Sequence, residues 1–161
     1  DYMTVLDLVA EKSNWGNTEE GVYQGIAIHK SFGTIVSQVV DLELVNDKPR
    51  LKRVTCAVDC GTAVNPDQVR AQIESSVVFG LTAALKGEIN IEGGAVKESN
   101  FHDYQMLRMD ETPPIEVHIV ESDLPPTGVG EPGTPPIAPA LGNALFAATG
   151  KRQRSLPYKV A

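Results

Sequence analysis

The residues best placed to do chemistry lie in the run Gly128-Val129-Gly130-Glu131-Pro132-Gly133-Thr134-Pro135-Pro136. One carboxylate, Glu131, sits between glycines that let the backbone approach another group closely and prolines that restrict its dihedral angles. The apolar segment that follows reads as a helix, and its N-terminal amides would face the turn and favour an anion or a polar cofactor. A carboxylate desolvated in a glycine-lined pocket has a raised proton affinity and can accept a proton near neutral pH. A helix N-cap or first-turn glutamate fits the same spacing. Gln72, within Arg70-Ala71-Gln72-Ile73-Glu74, is the second candidate. Its amide offers two donors and an acceptor, the pattern of a pterin or nucleobase edge. An exposed polar position on a helix is the competing reading.

Other polar residues point away from chemistry. His102-Asp103 invites comparison with a hydrolase triad, yet no serine or cysteine occupies a Gly-x-Ser-x-Gly elbow, so the pair reads as the anchor of a long loop. Asp59 and Asn65 flank a glycine turn and read as capping residues. Cys56 and Cys60 are four apart on one strand face, roughly 13 Å along it at about 3.3 Å per residue, too far for a disulfide. With histidines only at positions 29, 102 and 118, no metal-ligand cluster is evident.

The elements that must position these groups follow from periodicity. Residues 2–15 read as a helix with Val5, Leu8 and Val9 on its apolar face, ended by Gly16-Asn17. Residues 22–31, 35–46 and 50–59 read as strands, the second alternating in its later half as a strand buried on one side should. Asn46-Asp47-Lys48-Pro49 is a turn cluster, and short connections favour antiparallel pairing. Asn65 is a good N-cap and Pro66 a good first residue for a helix running to about Leu85, with Val69, Ile73, Val77, Gly80, Leu81 and Ala84 as its stripe. Residues 87–99 read as a hairpin turning at Gly93-Gly94, 115–121 as a strand, and 137–149 as a last helix. The fold class is therefore α+β: a mixed, mostly antiparallel sheet with two long helices packed on it, forming a single domain over 1–161.

Composition sets outer limits. A chain of 161 residues, 42% hydrophobic, can build a real core. A net charge of −7 without a basic stripe excludes a typical nucleic-acid binder. No apolar run approaches the roughly 20 residues of a membrane span. The chain opens Asp1-Tyr2-Met3 without an initiator methionine or signal peptide, and reads as a piece of a longer protein.

Three ordered stretches carry a resemblance: Val58-Asp59-Cys60-Gly61-Thr62-Ala63-Val64-Asn65-Pro66 on to Gln72; Glu98 to Tyr104 with Leu107-Arg108-Met109 and Pro113 to His118; and Gly128 to Gly133 on to Ala144. Together they resemble the C-terminal part of the molybdopterin-binding large subunit of the xanthine oxidase/aldehyde oxidase family, nearest the isoquinoline 1-oxidoreductase beta-subunit type. The resemblance covers nearly everything from residue 21 onward. It implies that Glu131 is the family's general base in a hydroxylation of an aldehyde or N-heteroaromatic carbon, with water as oxygen source. It implies that Gln72 hydrogen-bonds the molybdopterin cofactor, usually the cytosine dinucleotide form in bacteria. It implies an iron–sulfur subunit as partner, with a cytochrome as a further candidate, and leaves the compartment open between cytoplasm and twin-arginine export. Most of the family's cofactor cradle lies upstream of such a piece, so no cofactor is expected to bind this chain stably alone. A non-catalytic structural or assembly module of the same fold is the alternative.

Overall fold

The computed structural model describes residues 1–46 and 48–159. Its elements run α1 (Tyr2–Ser13), β1 (Val22–Ser31), β2 (Thr34–Val45), β3 (Lys48–Asp59), α2 (Pro66–Leu85), β4 (Ile91–Glu92), β5 (Ala95–Val96), β6 (Ile115–Ile119) and α3 (Thr134–Thr149). The β1–β2 connection is only Phe32-Gly33, both at positive φ, the two-residue geometry whose twist matches that of paired strands. β1, β2 and β3 pair antiparallel. β6 joins β3 in parallel, giving the order β1-β2-β3-β6. A parallel pair needs a long crossover. Here it contains α2 and the small β4–β5 hairpin. The architecture is α+β with a mixed, mostly antiparallel sheet.

Helices cover both faces of this sheet. Val36, Val40 and Leu42 of β2 and Val54, Cys56 and Val58 of β3 pack with Ile73, Val77 and Leu81 of α2 and Ile137, Leu141 and Leu145 of α3. On the other face Ile35, Val39 and Ala57 meet Val5 and Val9 of α1. β2 is consequently buried on both sides from Thr34 to Leu42. This corrects the expectation of a strand with one wet face: the small apolar stripe of α1 closes the second side. Cys56 and Cys60 are buried free thiols, as their spacing requires.

Several boundaries shift for local reasons. α1 stops at Ser13 because Asn14 adopts the left-handed conformation (φ 55°) and closes the last turn, ahead of the expected Gly16. α2 has the expected bounds, with Asn65 Oδ1 accepting from the Gln68 amide. The hairpin at 87–99 pairs only two residues per strand. β3 begins at Lys48 rather than residue 50, and Asp47 of the expected turn lies outside the described residues. α3 begins at Thr134, three residues before the expected start. Pro135 and Pro136 fall in its first turn, where a missing N–H costs nothing.

Candidate active site

The loop carrying Glu131 runs past the ends of β1 and β3 and across the middle turns of α2. Its upstream part is fastened by backbone hydrogen bonds: Thr62 N to Leu124 O at 2.8 Å, Thr127 N to Cys60 O at 2.9 Å and Gly128 N to Phe32 O at 3.2 Å. The Thr34 and Thr127 hydroxyls meet at 2.6 Å. Downstream, Pro132 and Gly133 are buried. A Cβ on Gly133 would stand 2.8 Å from Ser76 Cβ, so only glycine lets the loop lie this close to α2.

Glu131 lies on the wall of an open cleft of about 590 Å³. The same cleft is lined by His29 and Phe32 from the β1–β2 hairpin and by Ser75 and Phe79 from α2. Gln72 sits one turn earlier on α2. A methyl group on Gly130 would come within 3.8 Å of Gln72 Nε2, so the amide stands directly beside the loop. The two residues singled out in the sequence thus converge on one edge of the molecule. Both are exposed. Within the described residues neither side chain makes a hydrogen bond: outside the α2 ladder, Gln72 O accepts from Ser76 Oγ at 2.8 Å, and Glu131 O accepts from Thr134 N at 2.9 Å. Their side-chain polar atoms remain open to an external group. Ser31 Oγ, another group on the cleft wall, is buried without a hydrogen-bond partner among the described residues.

Two expectations about this site change. The carboxylate does not sit in a dry pocket of this chain, because the cleft is open on one side. The α3 N-terminus also offers few amides to an anion: Thr134 N is taken by Glu131 O, and Pro135 and Pro136 have none. Glu131 precedes the Gly133 cap position and makes no capping hydrogen bond with its side chain, so the N-cap reading does not describe it.

The remaining candidates separate from the cleft. Asp103 accepts from the Ser99 and Asn100 amides and from Ser99 Oγ. These hydrogen bonds hold its carboxyl far below the usual aspartate range. Exposed His102 lies 3.6 Å away. Asp103 anchors its loop, whereas His102 makes no hydrogen bond among the described residues. Asp59 accepts from the Gly61 amide. No cluster of three or more metal-ligating side chains occurs among the described residues. Among the described residues no helix is long and apolar enough to cross a membrane.

One residue of the site was missed by sequence reasoning. Gln38, fully buried in β2, donates from Nε2 to Gly133 O at 2.8 Å. The available signal was a polar side chain in the inward register between Val36 and Val40.

Residues 2–113 match the molybdopterin cofactor-binding domain family. The chain is 38% identical, over 98% of its length, to the isoquinoline 1-oxidoreductase subunit beta of Brevundimonas diminuta. It is 32% identical over the same share to a membrane-bound aldehyde dehydrogenase [pyrroloquinoline-quinone] of Gluconacetobacter polyoxogenes. It spans 21% of each of these relatives, about a fifth of their length. Among solved structures, quinoline 2-oxidoreductase from Pseudomonas putida 86 superposes with a TM-score of 0.67 at 21% identity, over 73% of this chain and 16% of that one. The aldehyde oxidoreductase from Desulfovibrio desulfuricans does so with a TM-score of 0.64 at 26% identity, over 77% and 14%.

Proposed function

The chain belongs to the molybdopterin cofactor-binding domain family, and from that premise we propose that it supplies the base, Glu131, and one pterin contact, Gln72, to a molybdenum hydroxylase of which it is a part. The observation that carries this reading is that an unengaged amide, Gln72, stands beside Gly130, while the next residue, Glu131, presents an unengaged carboxylate on the cleft wall. The donor set suits part of a pterin site: the Gln72 amide presents both donor and acceptor atoms, and Ser75 adds a hydroxyl on the cleft wall. With its helix N-terminus blocked by prolines, the chain provides one side of a cradle rather than a whole one.

Bound molybdenum would supply an acceptor for the electron pair released when a substrate C–H bond is oxidised. The work of this chain is positional and protonic. Gln72 orients the pterin edge. Glu131 takes the proton of the water-derived hydroxyl as its oxygen attacks an electron-poor carbon of an aldehyde or N-heteroaromatic ring. Buried Pro132 and Gly133 fix the backbone beside it, so the carboxylate starts from a defined place. Water exclusion over the cleft is contributed by surfaces beyond this chain. Electrons leave through an iron–sulfur subunit, with a cytochrome as a further carrier, and the pterin is the cytosine dinucleotide form.

The test uses the full-length subunit with its electron-transfer partner. Molybdenum content, the nucleotide released from the pterin, and dye-coupled oxidation of aldehydes and N-heteroaromatics are measured together. Near-stoichiometric molybdenum with cytosine nucleotide and turnover is expected. A quinone cofactor without molybdenum would overturn the reading. Molybdenum without turnover of any substrate would leave the chain a structural module.

A further inference from the structure

The loop's downstream anchor comes from the centre of the sheet. Gln38 is the only polar residue on the β2 face that packs against α2 and α3 between Val36 and Leu42. Its Nε2 reaches Gly133 O at 2.8 Å, bridging 95 positions of sequence. Gly133 is two residues past Glu131, and the intervening turn is closed by Thr134 N donating to Glu131 O. Gln38 Oε1 has no hydrogen-bond partner among the described residues. Its neighbour across the ladder is Cys56, fully buried, whose thiol is pushed well above its usual range by desolvation, an effect the adjacent Gln38 side chain only partly offsets, and so stays neutral. A buried amide with an unsatisfied oxygen is costly, and an apolar side chain of similar size would avoid that cost. Core packing alone therefore does not account for the amide at this position.

We propose that Gln38 is a positioning residue for Glu131: by fixing the Gly133 carbonyl from beneath, it sets the place of the carboxylate two residues upstream. This inference rests on the reading of Glu131 as the base. The upstream part of the loop is fastened by backbone bonds at Leu124, Thr127 and Gly128. At its downstream end, just before α3 packs on the sheet, the side chain of Gln38 adds a hydrogen bond from the sheet to the loop backbone itself.

The test is made in the full-length subunit at equal molybdenum content, with Gln38→Met, which keeps length and removes the amide. In the wild-type background kcat should fall roughly 10–100-fold with KM changed less than about twofold, as expected for a displaced reacting group. In a Glu131→Gln background the same substitution should cost less than about twofold, because no base remains to misplace. Independently of turnover, hydrogen exchange at the Thr134 amide should speed about tenfold or more while β2 and β3 stay protected. Equal losses in both backgrounds, or an unchanged kcat, would overturn the proposal. Gln38→Leu replaces Gln38→Met if the latter does not accumulate. Failure of both to fold would make Gln38 a core determinant and overturn the proposal equally. A wild-type rate in Glu131→Gln alone would instead defeat the reading of Glu131, and the Thr134 exchange would then decide whether Gln38 holds the loop.

Discussion

At the residue scale, burial and hydrogen bonding decide which polar groups are structural. His118 lies on β6, half-buried, and its Nε2 has no hydrogen-bond partner among the described residues. Burial lowers its pKa below the ordinary value of 6.5; the Glu116 carboxylate 4.0 Å away opposes this, Lys12 and Arg70 reinforce it, and Glu11 weakly opposes it. The fold thus favours the neutral ring. The stability this contributes is complete above pH 6.5 and lost as the pH falls from there through the lowered folded value. Thermal unfolding followed from about pH 7 to 5 should show falling stability, and His118→Asn should flatten that slope. An identical slope in the variant would remove His118 as its source. Glu131 and Gln72 stand out in the sequence because glycine and proline punctuate the first and a helical register displays the second; their roles are proposed. The exposure of Glu131 was not legible, since it depends on what lies over the cleft. Gln38 was visible as an anomaly in an apolar strand, but its partner is 95 residues away and nothing local announces it.

At the element scale, the sheet's second face depends on a small helix and a polar clasp. Arg53 donates to Asp41 at 2.8 and 3.1 Å and to Ser13 O at 3.2 Å, while Gln24 Nε2 bridges Asp41 and Ser13 O. This ties the end of α1 to β1, β2 and β3. Asp41→Ala leaves Arg53 and Gln24 with Ser13 O but without their shared carboxylate, and should cost about 3 kcal/mol in chemical denaturation. A loss under about 1 kcal/mol would show that the clasp is dispensable. On the opposite face α3 lies against β1 at Gly25, where an added Cβ would fall 2.1 Å from Ala140 O and Ala144 N. These are backbone atoms and cannot step aside cheaply. Gly25→Ala should therefore destabilise by about 3 kcal/mol, again read by denaturation, and a neutral result would mean that α3 can shift. Helix α2 was readable to the residue because Asn65-Pro66 writes its start in side-chain chemistry. The start of α3 was misread because adjacent prolines mark a loop as readily as a first turn. The two-sided burial of β2 was hidden for a different reason: alternation reports polarity, and Ser37 and Asp41 are polar residues satisfied inside the fold.

At the scale of the whole molecule, the surface around the cleft is more apolar than a finished exterior requires. Phe32 and Phe79 on the cleft wall are 65% and 70% exposed. Patches of this kind mark surfaces that meet other protein or ligand. With the chain spanning about a fifth of its curated relatives, and with Glu131 and Gln72 proposed to form only one side of a cofactor cradle, the 161-residue chain expressed alone should contain no stably bound molybdenum. Near-stoichiometric metal in that preparation would show that the cradle is more complete than the cleft suggests. The central claim is that Glu131 is the base, and it is tested most directly in the full-length subunit with its electron-transfer partner. Dye-coupled oxidation of aldehydes and N-heteroaromatics is compared between wild type and Glu131→Gln at equal molybdenum content. Removing a positioned base should lower turnover ~10²–10⁴-fold with the metal retained. Equal rates in the two proteins would contradict the account and return Glu131 to a structural role.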